Sequence, residues 1–187
     1  MTGTGSSNTL NGEANLTFDG STLSINGSAL NFKTFGTSSI MIGDTTTGTI
    51  DAADQNTGLG VDVFATLTSG DNNVVVGFSA GNDLTTGNRN TAIGANALDK
   101  ATTPNDNTAV GFAAMTATTT GHSNTAMGKR ALQTNTTGIQ NTSIGASSMS
   151  ANTEGATNTA VGENALASNT TASSNTAVGS AALTTNT

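Results

Sequence analysis

A glycine recurs every 17 residues along most of this chain, and this spacing constrains the fold more than any other feature. Nine glycines follow one another at this interval without an insertion or a deletion: Gly43, Gly60, Gly77, Gly94, Gly111, Gly128, Gly145, Gly162 and Gly179. A fixed period of this kind is typical of solenoids, in which each repeat forms one coil stacked on the next. The sequence therefore predicts an all-β fold, a β-solenoid (β-roll) of nine 17-residue coils over residues 37–187, and a separate N-terminal segment at residues 1–36.

The residues just before each glycine have the pattern of a short strand. A typical coil contains Thr108, Ala109 and Val110 ahead of Gly111. Alternate residues of a strand face opposite ways, so Thr108 and Val110 share one face and Ala109 lies on the other. We expect the face with Val110 to point inward, as an apolar column: Val76, Ile93, Val110, Met127, Ile144, Val161 and Val178. A second inward column of Leu and Met follows four residues after the later glycines: Leu98, Met115, Leu132, Met149, Leu166 and Leu183.

An asparagine precedes the strand in six successive coils: Asn90, Asn107, Asn124, Asn141, Asn158 and Asn175. Stacked at the coil spacing, these side chains would form a ladder in which each amide bonds to the next. The alternative is turn-forming Asn without a ladder. The segment after each glycine, such as residues 163–168, also has two interpretations, a second strand or a single helical turn, and its sequence fits both.

The other face of the strand carries a small residue in every regular coil: Ala92, Ala109, Ala126, Ser143, Ala160 and Ala177. We expect this face to point outward, where small side chains would let another backbone approach closely. An isolated narrow roll also has few large apolar side chains with which to offset the entropy of ordering its coils. Both observations predict a homo-oligomer wound around a common axis, and they do not separate a trimer from a dimer.

The two ends of the chain depart from the repeat. Residues 16–25 alternate apolar and polar side chains around Asp19-Gly20, which predicts a hairpin, and Leu30 to Phe32 form a third short strand. The first three coils are irregular, with Thr47, Phe64 and Gly81 in the Leu column and Leu84 compensating for the last. The sequence ends partway through a regular coil, so we expect a segment of a longer protein or a docking module there.

Composition and charge exclude several functions. The net charge is −7 and the chain has five basic residues, too few to neutralise a stretch of nucleic-acid phosphates. No apolar run approaches the roughly 18 residues of a membrane span, and residues 1–10 lack the features of a secretory signal. Charged residues make up 9% of the chain and aromatic residues 3%, which is unlike an enzyme core.

No set of residues forms a convincing catalytic, cofactor or metal site. The residues from Gly77 to Gly81 match the nucleophile-elbow pattern around Ser79, but the only histidine, His122, is several coils away. We therefore predict that the protein is not an enzyme and needs no cofactor.

A few charged residues have a second interpretation as ligand contacts. Asp44, Asp51 and Asp54 would hold a cation only if they met across coils, and solvated corners are the better interpretation. Lys129-Arg130 is the one basic dipeptide, and we expect it to be an exposed corner and not an anion or glycan contact.

The coil motif Asn-Thr-Ala-Val-Gly, followed by Ala-Leu and Asn-Thr-Thr, resembles repeats of bacteriophage tail fibres and related virion appendages. Residues 14–30 are similar to N-terminal β segments of such fibres, and the repeat also resembles the shorter coils in the β-roll heads of trimeric autotransporter adhesins. The resemblance implies a parallel homotrimer in the virion that binds other virion or fibre proteins, and a host cell-surface glycan or protein as its target.

The function expected from these features is that of a structural fibre segment for host attachment or for spacing a receptor-binding tip. A surface-exported trimeric bacterial adhesin is the alternative. An ice-binding protein is a third possibility, because the Thr column from Thr91 to Thr176 repeats regularly, but the expected strand phase places these side chains inside.

Overall fold

The computed structural model describes residues 52–186 and, before them, six strands: β1 (Asn8–Thr9), β2 (Leu16–Phe18), β3 (Leu23–Ile25), β4 (Ser28–Ala29), β5 (Phe32–Phe35) and β6 (Ser39–Gly43). The later strands are β7 (Thr57–Gly60), β8 (Val74–Val76), β9 (Thr91–Ile93), β10 (Thr108–Val110), β11 (Thr125–Met127), β12 (Thr142–Ile144), β13 (Thr159–Val161) and β14 (Thr176–Val178). Over these described residues the fold is all-β, and none of them is helical.

The 17-residue repeat forms a parallel β-solenoid, as predicted. Within the described residues, β6 to β14 pair side by side in chain order, and each coil contributes one strand. Thr108 lies beside Thr125 and Val110 beside Met127, a displacement of 17 residues. The strand β5 joins the same sheet at its start by pairing antiparallel with β6. Equivalent residues of successive coils are therefore stacked in columns along one axis.

A small antiparallel sheet of β1 to β4 lies in the N-terminal segment. The predicted hairpin is present, because Phe18 pairs with Leu23 across β2 and β3. Its turn at Asp19-Gly20 lies outside the described residues. The third strand differs from expectation: Ser28–Ala29 forms β4, and Phe32 begins β5 of the solenoid sheet, while Leu30 and Asn31 lie outside the described residues.

The segment after each glycine is neither a second strand nor a helical turn. In the coil of Gly111, Ala113 and Met115 adopt left-handed φ angles of 56° and 51° on either side of Ala114. Isolated residues of this kind bend the chain and cannot continue a right-handed helix. The Ala113 N–H donates to the Ala95 carbonyl, and the Met115 N–H donates to that of Ala131. The segment is thus a tight turn that bonds to the coils before and after it.

The predicted strand phase was wrong. Ala109 is completely buried, whereas Ile93 is 40% exposed, Met127 45% and Val178 70%. The small column therefore forms the core lining, and the column that contains Val110 and Val161 points outward with the Thr column. The physical reason is the narrow interior: once the Leu/Met column occupies it, the opposing strand has room for little more than a methyl group.

The Leu/Met column is buried, as predicted, from Leu98 through Leu166, but Leu183 in the last coil is 50% exposed, contrary to the prediction. Two irregular coils show how tightly it packs against the strand. Phe64 stands in this column opposite Gly58, where an added Cβ would lie 3.1 Å from its ring. In the next coil Gly81 stands opposite Val75, and a Cβ on Gly81 would lie 3.3 Å from both Val75 methyl groups. Leu84 is also buried there, in keeping with its expected compensating role, and Thr47 lies outside the described residues.

Candidate functional site

The outward side of the parallel strands is the most distinctive surface of the solenoid. Its apolar column, called here the apolar stripe, comprises Ile42, Leu59, Val76, Ile93, Val110, Met127, Ile144, Val161 and Val178. With about 4.8 Å between neighbouring strands, the stripe extends roughly 38 Å. A Thr column, from Thr91 to Thr176 in the regular coils, runs beside it on the same outward side. A continuous exposed apolar strip of this length is typical of an interaction surface.

The strands that carry the stripe contain no charged residue from β7 to β14. Charges lie instead at corners of the coils. Arg89 binds Asp106 of the next coil through two hydrogen bonds of 2.6 and 3.0 Å. This hydrogen bonding by Arg89 lowers the pKa of Asp106. Asp99 and a hydrogen bond to Asp83 raise the pKa of Lys100. The basic side chains of these pairs are exposed, so the contribution of the pairs to stability is small.

The predicted asparagine ladder is present, which excludes the interpretation of turn-forming Asn without a ladder. Asn124 donates its backbone N–H and its Nδ2 to Oδ1 of Asn107, at 2.9 and 3.2 Å, and its Nδ2 also donates to the Gly138 carbonyl. The ladder extends from Asn56 to Asn175, beyond the six predicted residues. Because it immediately precedes the strands, it fixes the alignment of successive coils and so keeps the outward face regular.

A second buried ladder was not predicted from the sequence. Asn152 donates its Nδ2 to Oδ1 of Asn135, and Asn169 donates in the same way to Asn152, both at 2.9 Å. The signal was present in the sequence, because these residues begin the Asn-Thr-Thr or Asn-Thr-Glu triplets that recur every 17 residues. One coil earlier the column contains Thr118, whose Oγ1 is the buried side-chain atom without a hydrogen-bond partner among the described residues.

Threonine hydroxyls form a further set of bonds along the axis. In each case the Oγ1 donates to the backbone carbonyl of the equivalent Thr in the next coil, at 2.9 to 3.2 Å: Thr68, Thr85, Thr102, Thr119, Thr136 and Thr153. Together with the asparagine ladders, these bonds make each coil dependent on its neighbours. The result is a continuous stack of mutually bonded coils rather than a chain of independent units.

Of the residues weighed for chemistry, those that the structure describes do not assemble into a site. Ser79 follows Gly77 in a tight turn, whereas His122 is exposed in a different coil, with Nδ1 3.2 Å from Ser123 Oγ. Oδ1 of Asp71 accepts a bond from the backbone N–H of Asp54, while Asp44 and Asp51 lie outside the described residues.

Lys129 and Arg130 are exposed, as predicted. Among the residues that the structure describes, no group of His, Cys, Asp and Glu has the arrangement of a metal site. The same part of the chain contains no helix long and apolar enough to cross a membrane.

Comparison of the chain with protein-family models, with curated proteins and with solved structures finds no match.

Proposed function

We propose that this chain is a structural segment of a homotrimeric fibre, part of a phage tail fibre or a similar virion appendage. It serves host attachment by holding a receptor-binding tip away from the particle. The observation that carries the proposal is the uncharged apolar stripe along a stack of coils that are bonded to one another. The resemblance of the coil motif to phage fibre repeats supports the virion location and the number of three chains.

A second copy of the chain is the partner that best fits the stripe. Apolar side chains repeat along it at the coil spacing. Only a surface with the same axial period can offer a matching side chain at every coil. The net charge of −7 would oppose association of identical chains, but no charge lies on the strands that would meet. Contact at this face therefore buries apolar surface without burying an unpaired charge.

The test is the mass in solution, measured by light scattering on the purified chain. We expect three chains of 18.3 kDa for the unmodified protein. Met127→Glu places a charge in the middle of the stripe and is expected to give monomers, because an unpaired carboxylate would have to be desolvated in the contact.

The matched control is Thr120→Glu, which adds the same charge at an exposed position outside the strands. It should leave the mass at three chains. A monomeric unmodified protein, or a Met127→Glu protein that assembles as well as the Thr120→Glu protein, would contradict the proposal.

A trimeric adhesin exported to the bacterial surface would use the same assembly and differs in location. Co-purification of the chain with phage particles from an infected culture favours the virion. Its recovery in the outer surface fraction of uninfected cells favours the adhesin.

Ice binding is a second candidate, and one observation favours it: the Thr column points outward, contrary to the phase expected from the sequence. Threonine hydroxyl and methyl groups then repeat along the axis at the spacing of the strands. If this face binds ice, the protein should show thermal hysteresis that Thr125→Lys abolishes and Thr120→Lys preserves. Since a trimer would bury the same face, an unmodified protein that is trimeric and has no hysteresis removes this candidate.

A further inference from the structure

The periodicity of the apolar stripe leaves the axial alignment of the copies undetermined. Two parallel stripes displaced by one coil would make nearly the same contacts as two aligned stripes. They would lose the contact of only one of the nine stripe residues. A displacement by one coil shifts a copy along the axis by about 4.8 Å. A fibre segment with a defined length needs some feature that does not repeat.

The irregular coils near the start of the solenoid supply such a feature. Val74 is 39% exposed and stands in the outward column that is Thr in β7 and in β9 to β14. Val61 and Phe78 are 49% and 57% exposed, and each directly follows a repeat glycine. With Leu59 these three residues form what we call the N-terminal apolar patch.

The column that contains Val61 and Phe78 does not repeat along the rod. In the later coils it reads Ala95, Phe112, Lys129, Ala146, Glu163 and Ser180. Within the described coils, large apolar side chains in this column are thus confined to the first half of the solenoid. Because these residues are exposed and only the glycine separates them from the stripe in the sequence, we place the column at the edge of the surface that the copies share.

We propose that the N-terminal apolar patch sets the axial alignment of parallel copies at zero offset. The inference rests on the proposed assembly through the stripe. At zero offset, the patches of all copies lie at one height and bury one another. An offset of one coil would put Phe78 at the height of Ala95 in the next copy and Phe112 at that of Lys129, so each ring would face a smaller or a charged side chain in place of another ring.

An offset of two coils is the closest competitor. It brings Phe78 to the height of Phe112. It also leaves two stripe residues without a partner and sets Val74 at the height of Thr108. Zero offset is therefore favoured over a shift of one coil and over a shift of two, and in both comparisons the contacts of Val74, Phe78 and the stripe decide.

Single cysteines on the stripe test the alignment, because the chain has no cysteine of its own. Proteins with Val110→Cys, Met127→Cys or Ile144→Cys are mixed in pairs, assembled from the unfolded state and oxidised, and the linked peptides are counted by mass spectrometry. Disulfides form only when the two Cβ atoms come within about 4.5 Å, so links between unlike positions report an offset. We expect links between like positions to outnumber links from 110 to 127 and from 110 to 144 severalfold.

Val74→Thr combined with Phe78→Ala gives the third coil the outward residues of the fourth, Thr91 and Ala95. In this background we expect the links from 110 to 127 to rise severalfold while the mass remains that of the parent assembly. Glu163→Ala changes the same non-repeating column outside the patch and should leave the distribution unchanged. Circular dichroism verifies that each variant is folded.

The outcomes separate this inference from the assembly on which it depends. A monomeric parent protein overturns the assembly itself. An assembled parent whose unlike links are as frequent as its like links overturns the role of the patch, as does an unchanged distribution in the double variant.

Discussion

Gly111→Ala is expected to lower the free energy of unfolding by about 3 kcal/mol or more, by a clash between coils added to backbone strain. Gly111 has a φ of +136°, and a Cβ built on it would lie 2.6 Å from the carbonyl oxygen of Gly128 and 2.7 Å from its carbon. The two coils cannot separate easily. The Gly128 N–H donates to the Val110 carbonyl, and the Gly111 N–H donates to that of Ile93, both at 2.8 Å.

Gly179→Ala separates the two causes. Gly179 has a similar φ of +125°, but an added Cβ would meet only the Ala182 Cβ, at 3.9 Å. This variant should show the torsional cost alone, about 1–3 kcal/mol. Urea unfolding followed by circular dichroism, at one protein concentration because association shifts apparent stability, measures both variants. Equal losses in the two proteins would mean that the clash between coils contributes nothing.

The coil length and the stacking could be predicted from the sequence because both depend on the same residues. Each repeat glycine must accept the close approach of the next, so a change in coil length anywhere would break the column. The hairpin of β2 and β3 was predictable for a comparable local reason, since an Asp-Gly pair between alternating segments favours a tight turn.

The strand phase was not predictable from hydrophobicity alone, because both faces of the strand carry apolar side chains. Size is the better criterion. Where the Leu column contains Phe64 the strand has Gly58, and where it contains Gly81 the strand has Val75. This exchange of volume between two columns of one chain indicates that they pack against each other, and it would have placed the small residues inside.

The turn after each glycine was unpredictable for a different reason. Leu98, Met115 and Leu132 adopt left-handed φ angles of 51–52°, a conformation that costs a residue with a side chain roughly 1–2 kcal/mol. Local preference therefore argues against the observed backbone at these positions. Burial of the side chain and hydrogen bonds to both neighbouring coils outweigh it, and neither is visible in a single coil.

Because the predicted strand phase was wrong, the predicted interface was also assigned to the wrong face of the strand. The sequence predicted a homo-oligomer from small residues on the supposed outer face, yet those residues line the core. The oligomer stays a prediction, and its support is now the exposed Val, Ile and Met side chains of the apolar stripe. The ladder of asparagines, in contrast, was located correctly, since its position depends on the period and not on the phase.

Asn124→Asp is expected to destabilise the solenoid by about 3–5 kcal/mol at neutral pH, although it changes almost no volume. Asn124 is 1% exposed in the middle of the ladder. Its Oδ1 accepts a bond from the Asn141 N–H, which an aspartate would keep. Its Nδ2 donates to Oδ1 of Asn107 at 3.2 Å and to the Gly138 carbonyl oxygen at 2.9 Å. In an aspartate, a carboxylate oxygen would take the place of this donor and would face these two acceptor oxygens.

The loss should depend on pH with a defined sign. Burial beside acceptor oxygens disfavours the charged carboxylate, so the pKa of this aspartate in the folded protein lies above its unfolded value of about 3.9. Below that value the protonated carboxyl can donate one hydrogen bond and the variant is least impaired. As the pH rises through the folded-state pKa its stability falls, and then levels off when the group would be fully ionised.

Asn175→Asp is the matched control at the last rung. Asn175 is partly exposed, and its Nδ2 bonds to Oδ1 of Asn158 at 3.0 Å and to the Ser173 carbonyl at 3.3 Å. Water can solvate a charge there, so we expect a loss of about 1 kcal/mol or less, with little pH dependence. Urea midpoints at about pH 3 and about pH 8 compare the two variants. A ladder that served only as turn-forming side chains would give the same small loss at both rungs and at both pH values, whereas a ladder that holds the coils in alignment requires the central rung to fail as the carboxyl ionises.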